Sequence, residues 1–136
     1  MNVFQPKTWA ELVANKDVLH TTAVGRLPED QKRYCDEFSQ IPRGEFLQRI
    51  QKKMANRHVC LLDNTYPYTS VLLHLPDVKH FVLWSVKPLE VKEVETFLHI
   101  EIPEKEYFWF EQTHNRKTVP EIFHVHVLVN TLDESL

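Results

Sequence analysis

The most informative stretch of this chain is Ile122-Phe123-His124-Val125-His126-Val127-Leu128-Val129-Asn130. Side chains alternate along a β-strand, so Phe123, Val125, Val127 and Val129 share one face while Ile122, His124, His126 and Leu128 share the other. The all-apolar face has to meet a core. That leaves two imidazoles side by side on the opposite face, about 7 Å apart at roughly 3.3 Å per residue. A pair so placed suits a metal, a phosphate, or a nucleophile held by its neighbour.

Upstream, Tyr107 to Gln112 reads as a partner strand. Glu90 to His99 carries Val91, Val94, Phe97 and Leu98 at helical spacing and predicts a helix. His80-Phe81-Val82-Leu83-Trp84-Ser85-Val86 is β-branched and aromatic and is bounded by Lys87-Pro88, as a buried strand would be. His80, Val82 and Trp84 share a face of that strand, so a third imidazole meets the pair if the faces coincide. His58 to Leu62 is a short apolar run followed by Asp63-Asn64-Thr65-Tyr66-Pro67, which is turn chemistry.

The N-terminal third is helical in pattern. Thr8-Trp9-Ala10-Glu11 matches a capping box and predicts a short helix to about Asn15. Pro28 with Glu29 and Asp30 places a second helix over residues 28 to 39, and Pro42 and Gly44 interrupt the pattern. From Glu45, the spacing of Phe46, Ile50 and Met54 gives an amphipathic helix. The expectation is one α+β domain over residues 1 to 136. It comprises a helical part at 1 to 57, an antiparallel sheet with a crossing helix at 58 to 130, and a tail at 131 to 136.

Composition supports a folded core: 43% of the 136 residues are hydrophobic and 26% charged. The net charge of −3 argues against strong nucleic-acid binding, which needs a basic face. The basic stretch Arg49, Lys52, Lys53, Arg57, His58 reads as the solvated side of a helix. The two cysteines, Cys35 and Cys60, are too few for a disulfide framework and read as reduced thiols. Met1 to Lys16 lacks a signal-peptide core and no run approaches the roughly 20 apolar residues of a membrane span, so the expected location is cytoplasmic, with no membrane partner.

Several separated motifs resemble a family of uncharacterised, mostly fungal proteins named after an N-acetylglucosamine-induced protein. They are Trp9 with Leu12, Gly25-Arg26-Leu27-Pro28 leading to Tyr34, and Asn64-Thr65-Tyr66-Pro67-Tyr68. They continue with His80 through Trp84 before Lys87, Trp109-Phe110, and Thr118-Val119-Pro120 through His124-Val125-His126-Val127. The C-terminal half is more remotely similar to the histidine-triad superfamily of nucleotide hydrolases and transferases. That likeness implies a HIT-like antiparallel sheet with a crossing helix and an N-terminal helical extension. It also implies a nucleotide or sugar-nucleotide phosphoester as the partner, no required cofactor, and a chain compatible with a homodimer.

By this resemblance His124 and His126 are the catalytic candidates, and Asn64, His80, Gln112 and Thr118 the ligand-binding ones. A full triad has three alternating histidines, whereas here Ile122 and Leu128 flank two. Two registers follow. With Ile122 in the first position His124 is the nucleophile; with Leu128 in the third it is His126. The first continues the superfamily pattern better through Val127-Leu128. Loss of one triad position also leaves room for a ligand-binding or regulatory module without turnover. A third alternative is a metal site built from His124, His126 and a partner such as His80 or Glu111, although no second His/Glu motif flanks the pair at familiar spacing.

Overall fold

The structure, a computed structural model, describes residues 4–21, 27–55, 57–64, 67–111 and 122–131. Helix α1 (Trp9–Ala14) starts where Thr8 Oγ1 accepts a hydrogen bond from the Glu11 amide at 3.1 Å. The Glu11 carboxylate accepts from the Lys7 amide, 3.2 Å away, one residue upstream of the donor that the capping-box pattern predicts. A short helix α2 (Val18–Thr21), absent from the sequence reading, follows it.

Helix α3 (Pro28–Gln40) begins on its proline with Glu29 and Asp30 at the positive end of the helix dipole. Helix α4 (Arg43–Met54) starts two residues earlier than the apolar stripe indicates, so Gly44 lies within its first turn and only Pro42 interrupts the chain. It ends at Ala55, which adopts the left-handed conformation at φ 53°. The solvated-face reading of the basic stretch holds, with Arg49, Lys52, Lys53, Arg57 and His58 all exposed.

Strand β1 (Val59–Asp63), helix α5 (Thr69–Leu72), strand β2 (Val78–Ser85), helix α6 (Val91–Glu101), strand β3 (Glu106–Phe110) and strand β4 (Phe123–Asn130) complete the described chain. The four strands form one antiparallel sheet in the order β1-β2-β4-β3. The last strand therefore enters between β2 and β3. Helix α6 opens with a reciprocal Glu90–Glu93 capping box and lays Val94, Leu98 and Ile102 against Leu83, Val125, Val127 and Val129. Each such aliphatic side chain taken out of water contributes roughly 1.5–3 kcal/mol, which makes this face the apolar base of the sheet.

The face carrying the histidines is also covered, so both sides of β4 meet a core. At one end Leu12 and Leu19 of the N-terminal helices join Tyr68, Val71, Leu75, Phe108, Phe110 and Leu128. At the other, Ile50 and Met54 of α4 pack on Cys60, with Leu62, Trp84 and Ile122 against them. Thr69 ties the start of α3 down: its hydroxyl donates to Asp30 at 2.7 Å and accepts from the Leu27 amide at 3.0 Å. No helix among the described residues is long and apolar enough to cross a membrane.

Candidate functional site

Strand register sets what meets what on the covered face. His80 lies opposite Leu128, Val82 opposite His126, and Trp84 opposite His124. On the other flank of β4, Phe110 lies opposite His126 and Phe108 opposite Leu128. Antiparallel partners point the same way, so His80 shares its face with the His124–His126 pair. The third imidazole thus joins the other two in the seam between the two apolar clusters.

All three rings are buried, with relative exposures of 5% for His80, 6% for His124 and 9% for His126. A buried polar group without a partner costs about 1–3 kcal/mol, so each ring has to be paired. The Tyr68 backbone N–H donates to His80 Nδ1 at 3.1 Å. An accepting ring nitrogen carries no proton, so His80 is neutral with its proton on Nε2. That Nε2–H lies 2.8 Å from His126 Nδ1 and donates to it. His126 is therefore neutral as well and holds its own proton on Nε2. One backbone amide, which can only donate, fixes the direction of the whole relay.

His124 is held the opposite way. Its Nδ1 sits 2.9 Å from the Ile122 carbonyl oxygen, which can only accept, so Nδ1 carries a proton and, in the neutral ring, the lone pair is on Nε2. Two imidazoles two residues apart on one strand, with ring centroids 5.9 Å apart, thus carry opposite tautomers. As neutral rings, His124 has its basic nitrogen at Nε2 and His126 has its N–H there. That combination can attack, or accept a proton from, a group whose developing negative charge the neighbouring donor stabilises.

Aromatic rings hold both histidines in place. His126 packs on Phe110 at 5.2 Å and Tyr68 at 5.3 Å between centroids, and Tyr68 also meets His80 edge-on at 4.6 Å. His124 stacks on Trp84, with centroids 4.6 Å apart and planes inclined by 29°. These three aromatics were missed as site residues. The available signal was their position: Trp84 is four residues from His80 on the same strand face, and Phe110 ends a strand that pairs with the histidine strand.

Asn64 reaches the site indirectly. Its amide nitrogen is 3.3 Å from His80 Nε2 and 3.5 Å from Nδ1. Such near-equal distances describe contact with the ring as a whole, not an in-plane bond to one nitrogen. Asn64 thus backs the ring that orients His126. Gln112 and Thr118 lie outside the described residues. Among the described residues no group of three or more His, Cys, Asp or Glu is arranged to hold a metal ion. Cys35 and Cys60 are both free thiols; Cys60 is buried, which pushes its thiol up from the ordinary 9.0, opposed in part by the charge of Arg57.

One solved structure shares this architecture. The chain is similar to the crystal structure of HTC1, with a TM-score of 0.67, 17% identity, and coverage of 94% of this chain and 87% of that one. At that identity the likeness speaks to the fold alone. No family model matches the chain, and no curated protein matches it.

Proposed function

We propose that this chain binds a nucleotide or sugar-nucleotide phosphoester and cleaves or transfers it through His124. The observation that carries the reading is the opposite orientation of two neighbouring imidazoles, His124 donating from Nδ1 to the Ile122 carbonyl and His126 accepting at Nδ1 from His80. The resemblance of the Asn64 turn, the His80 strand and the His124-Val125-His126 strand to the histidine-triad superfamily supports the same substrate class. It also favours the register in which Ile122 takes the first position, because the Ile122 carbonyl is the group that orients His124.

In this reading the His124 Nε2 lone pair attacks phosphorus and forms an N–P bond as the bond from phosphorus to the leaving oxygen breaks with its electron pair. The leaving oxygen takes a proton from solvent. His124 then carries positive charge, and its Nδ1–H remains on the Ile122 carbonyl, whose dipole favours that charge. The His126 Nε2–H donates to a phosphoryl oxygen as charge builds there. Water or an acceptor hydroxyl then attacks phosphorus, the N–P bond returns its pair to His124, and the site is restored.

Incubation with a panel of adenosine and sugar nucleotides tests this. His124→Ala is expected to lower kcat by about a thousandfold or more, and His126→Ala by about a hundredfold, the loss typical of one oxyanion donor. Equal turnover by wild type and both variants would remove the proposed site. A specific observation favours a second reading, binding without turnover: in the preferred register the first of the three alternating positions is the apolar Ile122 and not a histidine. A ligand-induced rise in Tm with no product formed by the wild type would select it.

A further inference from the structure

Stacking geometry around His124 assigns a role to a residue that the proposed reaction does not otherwise use. Trp84 lies on β2 directly opposite His124, its ring half-buried, with centroids 4.6 Å apart. A plane inclination of 29° puts the indole face against the imidazole. The edge of the same imidazole is held by the Ile122 carbonyl through Nδ1–H. One contact fixes the ring by its face and the other by its edge. Together they leave Nε2 as the basic atom.

The negative face of an indole attracts a cationic ring more strongly than a neutral ring of the same shape. Positive charge on His124 keeps its bond to the Ile122 carbonyl, since a second proton or a phosphoryl group would join Nε2 while Nδ1–H stays where it is. Charge on His80 or His126 would break the relay, because in each an accepting Nδ1 would have to become a donor. We infer that Trp84 is a positioning residue that sets the His124 ring plane and selectively stabilises its cationic form. The inference rests on the reading above only for its bearing on catalysis, since the cation it concerns also forms by simple protonation.

Titratable and charged groups near this stack include His126 on β4, Cys60 on β1 and, beyond Cys60, Arg57 after α4. Helix α4 contributes Ile50 and Met54 to the cluster that Trp84 packs against. None of these supplies the aromatic face, so replacing Trp84 isolates its effect. Nitrogen-detected NMR of the histidine rings across acidic to neutral pH, with His124 assigned through His124→Gln, makes the measurement. Trp84→Leu is expected to weaken proton binding by His124 about three- to tenfold, moving its midpoint down by about half to one pH unit, and Trp84→Phe by less. Equal midpoints in wild type, Trp84→Phe and Trp84→Leu would overturn the inference.

A measurement that leaves Trp84 in place guards against a misfolded variant. In a Trp9→Phe/Trp109→Phe background, Trp84 fluorescence should fall as His124 gains its proton, with the same midpoint, and His124→Gln should abolish the change. Fluorescence that ignores His124 titration would sink the proposal. Because neither measurement uses turnover, their failure is separable from failure of the phosphoester reading, which would show as inactive wild-type protein with an intact stack.

Discussion

Both faces of β4 are buried, and they are stabilised by different means. On the α6 side, Val125, Val127 and Val129 are buried among Leu83, Val94 and Leu98, and the only requirement is close packing. On the other side, His124, His126 and Leu128 are also buried, but each imidazole has to find hydrogen bonds of fixed direction. Apolar packing tolerates many side chains. A buried relay admits one proton arrangement, and that constraint is what gives two neighbouring histidines opposite chemistry.

The largest effect should come from the apolar face. Leu83→Ala removes a fully buried side chain and is expected to cost about 2–5 kcal/mol in urea unfolding while leaving both histidine tautomers as they are. A change in the tautomers would break the separation between the faces. His80→Ala attacks the relay instead. It leaves His126 Nδ1 without its donor, at an expected cost of about 1–3 kcal/mol, and turns His126 into a mixture of tautomers by NMR while His124 keeps its proton on Nδ1. A single Nε2–H form of His126 surviving in that variant would contradict the assignment.

Smaller effects separate the periphery of each face. Trp109→Phe deletes the 2.9 Å bond from Trp109 Nε1 to Glu95 on the α6 side, and is expected to cost under about 1 kcal/mol because that pair is exposed. On the histidine side, Cys60 is buried with its thiol held neutral, so alkylation should label Cys35, which is exposed, and spare Cys60 until the protein unfolds. The raised pKa also has a sign. The unfolded chain releases the Cys60 proton first, so its contribution to stability is complete below pH 9.0 and declines above it, toward the folded-state value. Stability that rises from pH 9 to 10 in wild type relative to Cys60→Ala would reverse this expectation.

Much of the framework is legible in residue order. Thr8, Pro28 and the Phe46/Ile50/Met54 stripe mark helices that the structure contains, and the four strands fall within two residues of where their apolar runs place them. The short helices α2 and α5 are not legible, because segments of four residues carry too little periodicity to register. The alternation of His124 and His126 with valines puts the pair on one face. It does not reveal that this face is covered, since coverage depends on where α1 and α4 dock.

Sequence alone determined the local terms of this protein: which residues start helices, which side chains share a strand face, and that two imidazoles stand together near the C-terminus. Only the tertiary structure brought His80, from 46 positions upstream, against His126, set Trp84 beneath His124, and aimed the Tyr68 amide at the first ring of the relay. The physical reason is that strand alternation is a property of neighbouring residues. A tautomer is chosen by whichever donor or acceptor the fold delivers to each nitrogen, and those partners are mostly distant in the chain.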